Sequence, residues 1–275
     1  MYTLNCKGRL LVIDRPFVMA IINATPDSFY AGSRIGNRED LLRQAAKMIE
    51  EGADILDVGG QSTRPGAEEV GETEELKRVI GAIDGLHRHF PDIPLSVDTY
   101  YSKVAREAVA AGASIVNDIS GGALDPDMLA VVGQLGVPYI CTHSRGTPQT
   151  MTRQADYDNV TTEVLDFLIR RTEDCRKAGI QDLIIDPGLG FAKGPRHNFE
   201  LVRNLHVFGI LRKPILLGIS RKSMIYKTLD IPIEEALNGT TVLNTLGLLN
   251  GASILRVHDP KQAKEAITLL AAYSG

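Results

Sequence analysis

The sequence predicts a single-domain α/β fold, a (β/α)8 barrel spanning residues 1–275. Three observations carry that expectation. Eight short apolar runs recur along the 275 residues with helical patterns between them. Each run stops at, or contains, a polar residue able to do chemistry. The turns that follow the runs include two that are unusually long, whereas the connections leading into them are short. Strands that are apolar on both faces and alternate with helices build a parallel sheet. Eight such units suit a closed barrel. An open doubly wound sheet would carry a GxGxxG turn after its first strand, and here that turn reads NATPDSFYAGSR.

The elements follow in order. Residues 1–16 read as a short N-terminal segment, a hairpin closing the bottom of the barrel. The eight runs are FVMAIIN to Asn23, ADILDVG around Asp57, IPLSVD to Asp98, ASIVND to Asn117 and Asp118, VPYICTH to His143, DLIID to Asp186, PILLGISRK to Lys222, and ASILRVH to Arg256, Val257 and His258. Helices are expected over 38–51, where Leu41, Leu42, Ala45, Ala46 and Ile49 share a face and Gly52 ends the pattern. Others are expected over 72–90, 102–111, 157–178 and 237–250, the last placing Leu243, Leu246 and Leu249 on one face. Asp259 and Pro260 have the residue types that start a final helix. The long loops at 24–38 and 59–70 are expected to be mobile and to sit at the C-terminal ends of the strands, where barrel active sites form. Connections such as 52–54, 112–114 and 251–253 are short.

Composition narrows the function. The chain is 44% hydrophobic and 23% charged, with 30 Lys and Arg against 34 Asp and Glu. A net charge of −4 gives no basic field for nucleic acid. No run is apolar over a membrane-spanning length, and no signal peptide is indicated. Cys6, Cys141 and Cys175 have no zinc or CxxC spacing. A cytoplasmic protein is expected.

The strand ends supply the candidate site. Asn23 is either a turn-initiating residue before Thr25 and Pro26 or a hard-oxygen ligand for Mg2+. Asp98 and Asp186 are either loop-ordering residues or carboxylates that accept paired N–H bonds from an amidine-like edge. Asn117 and Asp118 share that ambiguity, an amide offering both donor and acceptor. Lys222, Arg256 and His258 follow the last two runs, where barrels of this class bind phosphate; Arg221 and Ser223 flank Lys222. A surface cation is the alternative for each base. Nothing near Lys222 in sequence would lower its pKa. His143 reads as a residue ordering its loop, and neither it nor Asp57 is assigned to chemistry. From residues alone, the ligand is an anionic, nitrogen-rich, phosphorylated small molecule.

Eight motifs then match a known family in order. INATPDSF, DVGGQSTRPGA, SVDTY, IVNDISGG, SRGTPQTM, IIDPGLGFAK, LLGISRKS and NGASILRVHD strongly resemble dihydropteroate synthase, over nearly the whole chain. The resemblance implies condensation of 6-hydroxymethyl-7,8-dihydropterin diphosphate with 4-aminobenzoate, giving 7,8-dihydropteroate and diphosphate. It implies that Asn23 ligates Mg2+ on the diphosphate, that Arg256 and His258 hold its oxygens, and that Asp98, Asn117, Asp186 and Lys222 bind the pterin. Thr63, Pro65, Phe191 and Ser223 match positions framing the aminobenzoate pocket. Asp98, Asp186, Lys222 and Arg256 are the catalytic candidates. A homodimer through the last helices is likewise implied.

The chain departs from the family pattern at three places. Thr142-His143-Ser144 replaces Met-His-Met, Gln61 replaces Glu, and Gly188-Leu189-Gly190-Phe191-Ala192-Lys193 replaces Gly-Phe-Gly-Phe-Gly-Lys. Two other functions share parts of the pattern. A corrinoid-type methyltransferase domain shares the barrel and the pterin pocket but gives no reason for the RVH cluster or the STRPG loop. An inactive pterin-binding paralogue would have no need to keep every polar site residue.

Overall fold

A strand such as β3 (Phe17–Asn23) is buried at its first six positions, so it must be covered on both faces. The computed structural model describes residues 1–24, 34–61 and 70–275, with 34–37 described by backbone alone, and it meets that demand with a barrel. Strands β3, β4 (Ile55–Gly59), β5 (Leu95–Asp98), β6 (Ile115–Asp118), β7 (Tyr139–Thr142) and β8 (Leu183–Asp186) pair in parallel in chain order. Strand β9 (Leu216–Leu217) pairs with β10 (Ile254–Val257), which pairs back onto β3. A parallel bridge from Ile185 to Ile215 joins β8 to the start of β9 and brings the ring round. The expected 24–38 and 59–70 loops fall largely outside the described residues, which omit 25–33 and 62–69.

Side chains alternate between the two faces of each strand, and this sorts the barrel into layers. Outward residues such as Val18, Ala20, Leu56, Val97, Val116, Ile185 and Leu255 pack in the main core with the helices. Inward residues Met19, Ile55, Ile115, Ile140, Ile184, Leu216 and Ile254 form a separate apolar cluster at the N-terminal end. The hairpin of β1 (Tyr2–Cys6) and β2 (Arg9–Ile13) adds Leu4, Cys6 and Ile13 to that cluster. It closes the bottom, as the sequence suggests. In five of these strands the next inward residue is polar: Asp57 after Ile55, Asn117 after Ile115, Thr142 after Ile140, Asp186 after Ile184 and Arg256 after Ile254. Register aligns Gly59 with Asp98 and Asp98 with Asn117. One period-two pattern therefore writes both the plug and the site.

The surrounding helices are α1 (Arg34–Glu50), α2 (Glu72–His89), α3 (Ser102–Ala111), α4 (Met128–Leu135), α5 (Val160–Lys177), α6 (Pro195–Arg203), α7 (Ser223–Leu229), α8 (Leu237–Leu249) and α9 (Pro260–Ser274). Three expectations shift. Helix α5 starts after Asn159, whose side chain accepts from the Thr162 N–H at 3.0 Å and fixes the boundary. On α8, Leu246 and Leu249 face outward at 44% and 56% exposure, and the core side is Thr240, Asn244, Gly247 and Leu248. Asp259 precedes α9 without a side-chain cap, because its carboxylate is engaged by Arg221.

Gly133 lies inside α4, where propensity alone favours alanine by about 1 kcal/mol. A Cβ there would sit 1.9 Å from the Ala178 carbonyl oxygen at the end of α5. Helix packing outweighs propensity at this position. Gly133→Ala is expected to lower stability by about 1–3 kcal/mol, read as a fall in the urea midpoint; a stabilised variant would refute the close approach.

Candidate active site

The C-terminal ends of the strands surround a cavity of about 770 Å³. Asn23, Asp98, Phe191, Lys222, Ser223, Arg256 and His258 line it together, though they span more than 230 residues of sequence. Asn117 and Asp186 are buried at 3% and 6% exposure and sit behind the lining. Thr63 and Pro65 lie outside the described residues.

Arg256 organises the centre. Its Nε donates to Asp57 Oδ2 at 2.6 Å, and its Nη2 donates to Asp98 Oδ2 at 2.6 Å. Asn117 Nδ2 donates to the same Asp57 oxygen at 3.0 Å. Burial works against the Arg256 charge, but the Asp57 and Asp98 carboxylates outweigh it and hold its pKa above the ordinary arginine value. Burial pushes Asp98 up to about 7, with Arg256 pulling the other way. Asp186 is also raised by burial, against the field of Lys222 and a bond from the Gly188 N–H at 2.7 Å. Asp57 Oδ1 and Asp98 Oδ1 are buried without a hydrogen-bond partner among the described residues. A buried acceptor left that way costs about 1–3 kcal/mol, so two acceptors stand ready for a donor-bearing ligand.

Lys222 stands opposite. Its ammonium lies 4.5 Å from the Phe191 ring centroid and donates to the Leu189 carbonyl. Contrary to the expectation from sequence, its pKa is lowered, to about 8; burial drives the shift and the Asp186 carboxylate opposes it.

The loops after β9 and β10 meet at Ser220 and His258. Ser220 Oγ accepts from the His258 backbone N–H at 3.2 Å and lies 3.0 Å from His258 Nδ1. With that oxygen already accepting, the hydroxyl proton can go to Nδ1, which places the ring proton on Nε2. Arg221 does not join an anion site. It forms a two-pronged pair with Asp259 at 2.9 Å per bond and donates to the Glu234 carbonyl. It ties the two loops together. Asn23 is exposed at the end of β3. Among the described residues no cluster of three or more His, Cys, Asp or Glu could hold a metal ion.

Other residues take structural places. Asp118 accepts from Tyr139 Oη, Ser120 Oγ and the Ser120 and Gly122 N–H groups, each at 2.7 Å. It is the loop-ordering residue of its pair, and Asn117 is the one that reaches the centre. Sequence reasoning left Asp57 unassigned, although its place two residues after the inward Ile55 points it inward. It marked Gln61 only as a departure from the family pattern; the Gln61 Nε2 donates to the fully buried Glu75 at 2.5 Å and its Oε1 accepts from Tyr100 Oη at 3.2 Å. Glu75 lies in the first turn of α2 and not at a strand end, and no motif marks it.

Comparison with known proteins agrees with this geometry. The pattern of the pterin binding enzyme family matches residues 19–258. A dihydropteroate synthase of Synechocystis is 44% identical over 89% of this chain and 86% of its own length. One from Escherichia coli K12 is 40% identical over 98% and 95%. Among solved structures, a Yersinia pestis dihydropteroate synthase in complex with a sulfonamide drug superposes with a TM-score of 0.92 at 38% identity, covering 99% of both chains. The Xanthomonas albilineans enzyme in complex with 7,8-dihydropteroate superposes at 0.89 and 38%, over 100% and 99%.

Burial raises the Glu75 carboxyl to about 8. Below about pH 4 it is protonated in folded and unfolded chains alike, and its contribution to stability is fully present. As pH rises the unfolded chain ionises first, so stability is lost between about pH 4 and 8, at no more than about 1.4 kcal/mol per pH unit. Glu75→Gln is expected to flatten the fall in urea-unfolding free energy between pH 5 and pH 8. An unchanged slope would place the titration elsewhere.

Proposed function

The chain belongs to the pterin binding enzyme family, and we infer that it works as a dihydropteroate synthase, condensing 6-hydroxymethyl-7,8-dihydropterin diphosphate with 4-aminobenzoate. The observation that carries the residue roles is the buried, donorless Oδ1 of Asp98 beside a cavity that Lys222, Arg256 and His258 also line. A flat heterocycle rich in N–H groups would satisfy that acceptor and Asp186. Asn117, with one N–H bound to Asp57, offers its carbonyl oxygen and its second N–H.

The reaction breaks the bond between the pterin methylene carbon and a diphosphate oxygen and forms a C–N bond to the arylamine, which loses a proton. Negative charge grows on the leaving diphosphate and positive charge on the methylene. His258 Nε2–H and the remaining Arg256 donors stabilise the first, and the Asp98 and Asp186 carboxylates stabilise the second. Lys222 contacts the pterin, and the Phe191 ring beside its ammonium frames the arylamine. No protein nucleophile is needed.

Asn23 fits a Mg2+ ion carried on the substrate. Among the described residues an amide oxygen at the cavity rim stands there without a carboxylate cage, a donor set that suits an ion drawing its other ligands from phosphate and water. When bound, the ion would neutralise diphosphate charge. We place the protein in the cytoplasm, consistent with its three free, buried cysteines; among the described residues no helix is long and apolar enough to cross a membrane. We further propose a homodimer through α8 and α9, where Val242, Leu246, Leu249, Leu269 and Tyr273 are exposed.

Two measurements test this reading. Purified protein with the pterin diphosphate, 4-aminobenzoate and Mg2+ is expected to release diphosphate, and none would overturn the assignment. Lys222→Ala and Asp186→Ala are each expected to cut kcat/KM at least tenfold, about 1.4 kcal/mol, whereas near-normal values in both would remove them from the site. For the dimer, Leu249→Glu is expected to halve the mass seen by light scattering; a wild-type protein that is already monomeric would refute it.

A further inference from the structure

Lys193 is a buried lysine that the reaction scheme leaves without a task. It is 8% exposed and lies at the back wall of the cavity. Its ammonium donates to the carbonyls of Gly188 at 2.9 Å and Phe191 at 3.0 Å, to His143 Nδ1 at 2.8 Å, and more weakly to the His143 carbonyl at 3.3 Å. Among the described residues no carboxylate pairs with it directly. A lysine buried on neutral acceptors is costly, so its bonds must stabilise something the fold would otherwise lose.

The turn at 188–193 is what they hold. Gly188 at φ +71° would place a Cβ 1.9 Å from the His143 carbonyl oxygen, so the turn presses against the loop after β7. Ala192 adopts φ +51°, a left-handed conformation that costs a residue with a Cβ roughly 1 kcal/mol or more and persists only where surroundings over-determine it. The carbonyls of this turn point two ways. Those of Gly188 and Phe191 bind Lys193, and that of Leu189 binds Lys222. The Phe191 ring also contacts the Lys222 ammonium. The turn is clamped between a structural lysine and a site lysine.

We propose that Lys193 is a positioning residue for the condensation: through the Gly188–Phe191 turn it sets where Lys222 and the Phe191 ring meet the substrate. His143 completes the arrangement. Burial, aided by the Lys193 charge, drives the imidazole down to about 2, so it stays neutral and can accept at Nδ1. Its ring packs edge-on against Phe167 at 4.8 Å between centroids, which fixes the acceptor in place.

This inference rests on the proposed reaction, and the test separates the two. Lys193→Met keeps an unbranched apolar stem one atom shorter and removes the donors. It is expected to lower kcat at least tenfold in the full-length enzyme, with a smaller change in KM. Combined with Lys222→Ala it is expected to add less than threefold to the loss from Lys222→Ala alone, since both act on one unit. A residue that only supports the fold would show full additivity. Wild-type kcat in Lys193→Met, or losses that multiply fully in the double variant, would overturn the proposal. If Lys193→Met does not fold, His143→Leu takes its place; it removes the ring acceptor and leaves the Lys193 ammonium and the His143 carbonyl, and the same non-additivity with Lys222→Ala is expected, a fully multiplied loss being the refuting result. Should the wild-type enzyme release no diphosphate, the reaction assignment itself fails; a working wild type with an unaffected Lys193 variant refutes the positioning role alone.

Discussion

The guanidinium of Arg256, held between Asp57 and Asp98 inside the barrel, is the interaction on which the site depends. Burying an ion pair removes hydration worth several kcal/mol per ion, and the return comes only with good geometry. Here both bonds are 2.6 Å long, and Asn117 adds a third donor at Asp57. The arrangement lies one residue pair above an apolar plug, which keeps water from reaching it from below. It consumes one oxygen of each carboxylate and, among the described residues, leaves the other without a donor. The same bonds that hold the barrel mouth in register thus create unmet acceptors on its wall. Stability and ligand recognition draw on one set of atoms.

The charges around the cavity are segregated. Asp57, Asp98 and Asp186 lie deep, whereas His258, Ser220 and Asn23 lie toward the loops that follow β10, β9 and β3. Arg256 and Lys222 stand between. A substrate that is nitrogen-rich at one end and diphosphate at the other fits that gradient in one orientation. Bond cleavage moves negative charge outward and leaves positive charge near the carboxylates, so the field already present favours the charge distribution of the transition state. This preorganisation explains why the site needs neither a triad nor an activated cysteine; Cys6, Cys141 and Cys175 are all buried.

The sequence made the barrel legible because its period-two inward pattern survives in short apolar runs, and the plug-forming hairpin followed from the same logic. Position at strand ends singled out Asp98, Asn117, Asp186, Lys222, Arg256 and His258 because barrels concentrate function there, and four of them, Asp98, Lys222, Arg256 and His258, line one cavity. Asp57 was overlooked because it lies inside its run and not at the end; only the register that sets it beside Ser96 and Ile21 shows its height in the barrel. Arg221 flanks Lys222 in sequence, yet a partner 38 residues later claims it. Lys193 and Glu75 depend on contacts between elements distant in sequence, and no local pattern encodes those. The apolar face of α8 was visible as a helical stripe, but which side met the core was not, because Gly247 and Asn244 provide the close approach.

The change from Glu to Gln at position 61 can be argued from the neighbourhood it enters. Glu75 is fully buried, and the Asp98 charge adds to the burial that raises its pKa. A carboxylate at 61 would face the Glu75 carboxyl at hydrogen-bond distance, and two such groups cannot both ionise in a buried site. One proton would have to be shared there, making the geometry of the segment leading into residues 62–69 sensitive to pH. Gln61 replaces that shared proton with an N–H that donates to Glu75 in either protonation state, while its carbonyl still accepts from Tyr100. The substitution trades a titrating pair for a fixed donor–acceptor chain. It leaves Glu75 as the one titrating group of that pair, beside Asp98, Asp186 and Lys222, the groups proposed to bind the substrate.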